Sequence, residues 1–358
     1  MTARSGRGLH IGQPMTKQPI SYYARALRPA LSPDAFEPAR SRLFWLPVHL
    51  AVIALGMTTI ARGWLAWPLV PLLSLVMGVS FSGLTFLAHE TLHGAIIRSR
   101  GVRWLVGFIG FLPFVISPRL WCAWHNRVHH GHANEPDVDP DAYPTLEAYS
   151  SDRKIRVVTD HFAPGRRRLS GQFALTVGLS IQGLQMLAVA RSRGYLSARA
   201  HRVALAETAL GIGLWTALAL LVGGLPFLFV FVLPTMVANT IVMAFIFTNH
   251  SLSPLTDVND PLENSLSVTV PRWVDWITLR FGFHVEHHLF PAMSSRHALA
   301  VRALLLARWP DRYQSMPLTR ALLLLHRSGR VYKDHTALYD PHTGVQTSSL
   351  RARKVALA

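Results

Sequence analysis

Nine of the 18 histidines in this 358-residue chain fall into short clusters with regular spacing. They are His89 and His93 in H-E-T-L-H, His125, His129 and His130 in H-N-R-V-H-H, His250 in T-N-H-S, and His284, His287 and His288 in H-V-E-H-H. Histidines four residues apart lie on one face of a helix. Imidazole binds iron, copper, nickel and zinc, so each of the three larger clusters could offer two or three nitrogens to a metal ion.

The size of this histidine set favours two metal ions. One zinc ion takes four ligands, and nine imidazoles exceed that number. The only cysteine is Cys122, so ligation without thiolates excludes iron–sulfur chemistry. The ligand types alone do not name the metal. Two redox-active irons at the mouth of a helical bundle would suit O2 activation and attack on an unactivated C–H bond of a lipid chain.

Residues beside the clusters are candidates for supporting roles. A metal-bound histidine usually donates its second N–H to a carboxylate or a carbonyl. The candidates for this outer layer are Glu90, Asn126, Asp137, Asn249 and Glu286, with Asp139, Asp141, Asp257, Asp260 and Glu263 as further acidic neighbours. The two asparagines could equally cap helices. Trp121 and Trp124 flank the second cluster and could line a substrate tunnel or anchor the chain at a membrane interface.

The elements that must position these residues are membrane helices. Half of the residues are hydrophobic and only 15% are charged, against roughly 25% in soluble domains. A helix needs about 20 apolar residues to cross the hydrocarbon core. Five stretches meet this requirement, and one of them, 171–190, is set aside below. The other four are 43–61 and 63–88, joined by Arg62, and 203–222 and 225–247, joined by Gly223-Gly224. Both connections fit tight hairpins, so we predict an all-α polytopic fold with about four spans.

Two other apolar stretches are not expected to cross the membrane. Residues 104–117 are too few to span and contain Pro113, so they predict a re-entrant or surface segment. Three crossings between His130 and His284 would leave the clusters on opposite faces, unable to share a metal site. We therefore expect residues 171–190 to form an interfacial or embedded helix.

The charge distribution predicts the orientation. If the two hairpins form, Arg62 is the only basic residue at their tips, and the other 35 of the 36 Lys and Arg residues lie on the opposite side. The positive-inside rule makes that side cytoplasmic, for example at a bacterial inner membrane. Topology thus explains the net charge of +17 without a nucleic-acid partner. We expect three parts: a basic arm at 1–42, a membrane domain at 43–310 and a cytoplasmic tail at 311–358. The membrane domain would include a cytoplasmic helical cap that holds the di-metal site. The composition of the basic arm also fits a transit peptide.

The order and spacing of the clusters resemble the histidine boxes of the membrane fatty acid desaturase superfamily. The shared pattern is H-x-x-x-H at 89–93, H-x-x-x-H-H at 125–130 and H-x-x-H-H at 284–288, within G-F-H-V-E-H-H-L-F-P. The resemblance covers about residues 43–310. It implies two iron ions (Fe2+/Fe3+), a further ligand supplied by His250, and introduction of a double bond into a fatty acyl chain with reduction of O2 to water.

The resemblance also implies partners. The acyl chain would be carried by CoA, by a carrier protein or by a membrane lipid. The H-P-G-G haem motif of a fused cytochrome b5 does not occur in the sequence, so we expect a separate ferredoxin or cytochrome b5-type protein to donate the electrons.

Three alternatives remain open at the level of sequence. Related hydroxylases, ketolases and epoxidases carry the same boxes. The first box is also a literal H-E-x-x-H, which in a zinc protease would make Glu90 the general base, but that function leaves the other boxes unused. A metal transporter would hold its ligands near the bilayer midplane, whereas these histidines follow the ends of the spans.

Overall fold

The computed structural model describes residues 16–165 and 170–350, so the start of the basic arm and the end of the tail lie outside the described residues. The described part is mostly helical, which confirms the predicted fold class. The α-helices are α1 Ile20–Leu27, α2 Trp45–Ala61, α3 Val70–Leu92, α4 Arg100–Phe111, α5 Pro118–Trp121, α6 Leu146–Ser151, α7 Arg153–Phe162, α8 Phe173–Val189, α9 Ala198–Val222, α10 Gly224–Phe227, α11 Leu233–His250, α12 Pro261–Asn264, α13 Arg272–Ile277, α14 His284–Leu289, α15 Ala298–Arg308 and α16 Leu318–Arg327. Short 3-10 turns occupy Arg28–Ala30, Pro33–Phe36, Arg40–Phe44, Trp67–Leu69, Leu112–Phe114, Ser170–Gln172 and Ser295–His297, and π-helical segments occupy Cys122–His129 and Leu228–Val232.

Four helical stretches are long and apolar enough to cross a membrane. They are Arg40–Ala61, Trp67–Leu92, Ala198–Val222 and Gly224–His250, which confirms the four predicted spans. The turns within both hairpins use glycine with positive φ, +65° at Gly63 and +84° at Gly223. Glycine adopts this region without the steric cost that a Cβ would bring, so the chain can reverse tightly at both positions.

The stretch before the second histidine box is sharply bent. Residues Arg100–Phe114 and Pro118–His129 form two helical arms that meet at 98°. Pro118 lies at the first position of the second arm, where its missing N–H costs no helical hydrogen bond. Ser117 caps that arm, because its hydroxyl accepts from the backbone N–H groups of Arg119 and Leu120. The apolar run at 104–117 therefore does not continue straight into the second box.

The long helices pack around α3, which carries the first histidine box. Helices α2, α4 and α11 all contact it, and α8, with 17 residues shorter than the four candidate spans, packs along α11. Small residues permit the close approaches. A Cβ added at Gly110 of α4 would lie 2.4 Å from the backbone oxygen of Leu84 and 2.4 Å from the Cβ of Ala88, so only glycine fits there.

A cap of short helices and two small sheets covers one end of this bundle. Strand β1 (Ser267–Thr269) pairs in parallel with β2 (Ser315–Pro317). Strands β3 (Val331–Tyr332), β4 (Ala337–Tyr339) and β5 (Gln346–Ser348) form an antiparallel sheet. Helix α1 buries Tyr23 and Leu27 against Val285 of α14 and Leu305 of α15. Residues from both the N-terminal arm and the C-terminal segment thus pack onto the helix that carries the third box.

Candidate metal centre

The first box lies at the end of α3. His89 and His93 are one helical turn apart, with ring centroids 4.8 Å from each other. The helix ends at Leu92, and Gly94, with a φ of +85°, turns the chain away. Both imidazoles therefore leave the same face of the helix where it meets the cap.

The second box lies on the π-helical segment Cys122–His129, which the sequence does not predict. The backbone N–H of His130 donates to the oxygen of His125 at 3.0 Å, five residues earlier, as a π-helix requires. The wider turn directs the side chains of His125, His129 and His130 toward the same region, where the centroids of their rings lie 4.8 to 5.5 Å apart.

The third box lies on the short helix α14, and His250 is the last residue of α11. His284 and His288 are one turn apart on α14, with a separation of 3.1 Å between their Nε2 atoms. The Nε2 of His250 lies 2.6 Å from that of His284. His250 thus lies beside the third box, where the resemblance to the family would place a further ligand.

The nine histidines converge on one region and divide into two groups. The first group contains His89, His93, His125, His130 and His287, and the second group contains His129, His250, His284 and His288. Four members of the first group and all four of the second place their ligand nitrogens within 4.8 Å of one another. His130, the fifth member of the first group, has its Nε2 3.1 Å from that of His287 and 3.3 Å from that of His125.

These distances fit two metal ions. Two nitrogens bound at right angles to one metal, each at about 2.1 Å, lie about 3.0 Å apart. The Nε2 atoms of His89 and His287 are separated by 3.0 Å. The Nε2 of His93 is buried without a hydrogen-bond partner among the described residues, which an ion in the first group would satisfy. The two groups are therefore compatible with a di-metal site.

Burial favours the form of histidine that binds metals. It lowers the pKa of His284 and His288 well below the usual value, and the neighbouring imidazoles lower it further. It also lowers the pKa of His287 to about 3. These rings are consequently neutral, and a neutral imidazole keeps one lone pair for a metal.

Two histidines of the second group are oriented by acceptors on their far side. The Nδ1 of His129 lies 3.0 Å from a carboxylate oxygen of Asp139, and the Nδ1 of His250 lies 3.2 Å from the backbone oxygen of Asn264. Carboxylate and carbonyl oxygens only accept, so each Nδ1 carries a hydrogen and each Nε2 faces the group. Burial alone would lower the pKa of His129, but the charges of Asp139 and Asp141 raise it to about 9, so an ion bound there would displace a proton from its Nε2. Asp137, the candidate from sequence, is exposed and has a φ of +60° in the turn.

The two glutamates inside the boxes contact other elements. Glu90 accepts from Arg42 at 2.7 Å and from the backbone N–H of Ser295 at 2.8 Å. Glu286 accepts from the hydroxyls of Tyr313 at 2.5 Å and Ser267 at 2.6 Å. Both carboxylates thus tie the box helices to neighbouring segments.

The asparagine candidates have different surroundings. The side-chain amide of Asn126 donates to the backbone oxygen of Leu92 at 3.3 Å, which links the second box to the end of the first. Asn249 is fully buried, and neither its side-chain oxygen nor its nitrogen has a hydrogen-bond partner among the described residues. Its amide is therefore available to a ligand or a water molecule.

The tryptophan candidates are both buried beside the second box. Trp121 stacks on the ring of His125, with centroids 4.4 Å apart. The indole N–H of Trp124 donates to Asp141 at 3.1 Å. Asp141, whose pKa burial and the charge of Asp139 raise to about 6, also accepts from Gln182 of α8 at 2.6 Å. No local sequence pattern indicates this contact with Gln182, because the two residues are 41 positions apart.

An apolar cavity lies between the two histidine groups. Its volume is about 20 Å3, room for about one water molecule. His89 and His125 line it from the first group, and His129, His250 and His284 from the second. The remaining walls are formed by the side chains of Phe86, Trp121, Val242, Ile246 and Phe281 and by the carboxylate of Asp141. A substrate segment beside both metal positions would therefore meet mostly apolar side chains.

The fold and site define a chain with four candidate membrane spans and, at their ends, two buried histidine groups that could hold a di-metal centre. The family described as fatty acid desaturase matches residues 62–320. The chain belongs to this family, which confirms the resemblance seen in the boxes. The family identifies it as a membrane protein of fatty acyl modification with desaturase-type oxidoreductase chemistry.

The relatives of this chain include named desaturases and a fatty acid conjugase. An sn-1 oleoyl-lipid 12-desaturase of Synechocystis sp. is 23% identical over 333 residues, covering 88% of this chain and 89% of the relative. An sn-1 oleoyl-lipid 12-desaturase of Arthrospira platensis is 22% identical, covering 70% of this chain and 72% of the relative. A fatty acid conjugase of Calendula officinalis is 21% identical, covering 80% and 82%.

Proposed function

We propose that this chain is an O2-dependent enzyme that introduces a double bond into a fatty acyl chain. The observation that carries the proposal is the pair of histidine groups on either side of one apolar cavity. A reaction that removes two hydrogens from a saturated chain needs a strong oxidant beside an apolar binding site, and this arrangement supplies places for both.

Iron is the metal we propose for both groups. When bound, two irons would supply the activation of O2 and the removal of hydrogen from an unactivated C–H bond. The histidine set suits this metal because imidazole is a good ligand for iron and the nitrogens lie at the separations expected for shared coordination. A separate ferredoxin or cytochrome b5-type protein would provide the electrons.

The residues of the chain have distinct roles in this proposal. The first group (His89, His93, His125, His130 and His287) would hold one ion, and the second group (His129, His250, His284 and His288) the other. Asp139 fixes the ring of His129, and the apolar walls of the cavity position a saturated segment and exclude water. Trp121 would touch the acyl chain, whereas Trp124 would act through Asp141.

The proposed substrate is an acyl chain held in a membrane lipid. Support comes from the relatives named as acting on oleoyl-lipid and from the cavity's position next to the spans. By the positive-inside rule, the centre would face the cytoplasm, where a thioester of CoA or of a carrier protein is the competing source of the chain.

The test is expression in a bacterial host of known lipid composition, followed by mass spectrometry of its acyl chains and metal analysis of the purified protein. We expect a new double bond and two irons per chain, one for each of the two histidine groups. His93→Ala, His130→Ala and His288→Ala should each abolish product, because each removes a ligand that no neighbour replaces. His132→Ala is the matched control, since this histidine is exposed and pairs with Glu135.

Other outcomes would contradict the proposal. Full activity in all three ligand variants would refute the site. A hydroxylated or ketolated product without a new double bond would assign the chain to the related hydroxylases and ketolases. About one zinc per chain together with proteolytic activity would favour the H-E-x-x-H protease.

A further inference from the structure

The lone charge in the middle of helix α9 lies against the bent segment before the second histidine box. Glu207 is the only Asp, Glu, Lys or Arg residue between positions 203 and 222. It lies about 14 Å along α9 from the first residue of that helix, inside a stretch apolar enough to span a membrane. An ionisable residue in such a stretch is costly, so it usually has a specific partner and a specific role.

Both oxygens of the Glu207 carboxylate contact the arm that carries the second box. Its Oε1 accepts from the Nε of Arg119 at 3.2 Å. Its Oε2 accepts from the hydroxyl of Ser117 at 2.5 Å, and the same hydroxyl oxygen caps the arm. The guanidinium of Arg119 also lies over the ring of Trp104 in α4, 5.5 Å from the ring centroid. One carboxylate therefore fixes the start of this arm against α9, and Arg119 extends the contact to the preceding helix.

The bend that Glu207 borders contains a strained residue. Val115 has a φ of +51°, in the left-handed region that β-branched residues rarely adopt. Such a conformation persists only where the surrounding structure holds it. On one side of Val115, the indole N–H of Trp215 in α9 donates to the backbone oxygen of Leu112 at 2.8 Å. On the other side, Glu207 holds Ser117, so α9 fixes the strained turn at both ends.

The arm beyond the bend is continuous up to the second box. Residues Pro118–His129 form one helical arm, which is α-helical at its start and π-helical at its end. Leu120 and Ala123 of this arm are buried in one apolar cluster with Ala204, which lies one turn before Glu207 on α9. Polar and apolar contacts with the same face of α9 thus act on a single rigid element.

Three candidate ligands lie at the end of this arm, and they serve both histidine groups. His125 and His130 lie in the first group, and His129 lies in the second. A shift or rotation of the arm would therefore displace nitrogens of both groups at once. Metal–ligand distances in proteins vary by only about 0.2 Å, so even a small displacement would weaken binding.

We infer that Glu207 is a positioning residue, which acts through Ser117 and Arg119 to set the direction of the second box in both histidine groups. This inference rests on the two metal ions of the proposed function. Glu207 acts at the start of the arm, and Arg119 precedes the first of the three histidines by six residues. A buried ion pair often stabilises a protein no more than apolar residues of similar volume would, which agrees with a role in geometry.

Glu207→Gln tests this role with the least change of shape. The amide keeps the volume of the side chain but loses the charge that pairs with Arg119. We expect the affinity for both metal ions to fall about tenfold, the lower end of the effect of removing an outer partner of a metal-binding histidine. Affinity is measured by competition between chelator and protein for Co2+, and the visible absorption of bound Co2+ should also change, because it depends on coordination geometry. Thr208→Val is the matched control, since the hydroxyl of Thr208 is buried without a hydrogen-bond partner among the described residues.

A double variant separates positioning from stability. Arg119→Met combined with Glu207→Met replaces the ion pair by apolar side chains of similar length, which is often neutral or stabilising. We expect its Tm in detergent to match that of the unmodified protein, while its Co2+ affinity and absorption remain altered because Ser117 still lacks its acceptor. Recovery of both Tm and Co2+ binding would reduce Glu207 to a stabilising ion pair and overturn the inference.

The remaining outcomes also decide between the two proposals. Unchanged Co2+ affinity and absorption in folded Glu207→Gln would overturn the inference, and the double variant decides the result if Glu207→Gln does not fold. An unmodified protein that binds two ions but makes no double bond would overturn the proposed function and leave the role of Glu207 standing. An unmodified protein that binds no metal ions would overturn both.

Discussion

At the scale of single residues, Asp139 sets the orientation of the His129 ring in the candidate metal centre. Its side chain is fully buried, and both carboxylate oxygens act as acceptors. One accepts from His129 and from the backbone N–H of Asp141 at 3.0 Å, and the other accepts from the backbone N–H of Asn134 at 2.8 Å. A carboxylate satisfies all these donors because it has no N–H or O–H of its own when ionised.

Asp139→Asn should weaken metal binding. The amide keeps the size of the side chain, but its NH2 group must face a donor whichever way it turns, so His129 loses its fixed orientation. Loss of such an outer partner costs about 10–100-fold in metal affinity or activity. Metal content after dialysis against a graded series of chelator concentrations measures the effect.

The neighbouring aspartate provides the control. Asp137 is exposed two residues earlier, so Asp137→Asn should retain both metals and activity. Equal metal loss in the two variants would show that Asp139 has no specific role, and loss in Asp137→Asn alone would assign that role to Asp137.

The sequence predicts which histidines act but not how they are grouped. The spacing of four residues places His284 and His288 on one face, and the structure keeps them in one group. The same spacing relates His125 and His129, whose rings stack with centroids 5.0 Å apart, yet His125 lies with the first group and His129 with the second. The choice of Asp139 over Asp137 likewise depends on turn geometry, in which Asp137 adopts a positive φ and points outward.

At the scale of elements, the first two boxes depend on the contact between α3 and α4. Gly110 allows the backbone of α4 to touch α3 beside Leu84 and Ala88, one residue before His89. Thr85 strengthens the contact, because its hydroxyl donates to the backbone oxygen of Gly110 at 3.0 Å. The helix that leads to the second box is therefore held directly against the helix that carries the first.

Gly110→Ala should destabilise the protein and disturb the centre. The added methyl carbon would lie 2.4 Å from the backbone oxygen of Leu84 in α3, so the two helices must separate. Such overpacking lowers the free energy of unfolding by about 1–3 kcal/mol. A lower Tm in detergent and reduced metal content would show it. Gly101→Ala on the same helix is the control, since nothing lies within 4 Å of its added Cβ. An unchanged Tm in Gly110→Ala would mean that the close contact contributes no stability.

The spans and the interrupted segment at 104–117 were predictable from length and apolar composition, whereas the contacts that hold the bend before the second box were not. Its second arm is held by an ion pair between Arg119 and Glu207 of α9, at 3.2 Å, and by a hydrogen bond of 2.5 Å from Ser117 to Glu207. In the sequence, Glu207 is only a lone charge inside an apolar run. Its partner is 88 residues away, so local patterns cannot reveal that the charge is paired.

At the scale of the whole molecule, the segments outside the spans assemble into one body around the third box. Asp260 joins three of them, because it accepts from the hydroxyl of Tyr23, from the backbone N–H of Gln18 and from Arg312. The N-terminal arm, the loop after α11 and the segment after α15 must therefore lie on the same side of the membrane as the histidines. Among the described residues, the basic side chains other than Arg62 would then share that side if both hairpin turns lie on the other.

The topology gives the last prediction, which introduced cysteines can test. With Cys122→Ser as background, Trp64→Cys and Leu225→Cys place exposed thiols at the two hairpin turns, and Val345→Cys places one on the cap. Because positively charged segments stay in the cytoplasm, a membrane-impermeant thiol reagent should label the first two variants in intact cells and Val345→Cys only after permeabilisation. Each variant must also keep its activity, so that labelling reports the functional fold. Labelling of Val345→Cys in intact cells, with both turns protected, would show that the orientation is opposite to the predicted one. If only one of the two turns were labelled, the result would contradict the pair of hairpins.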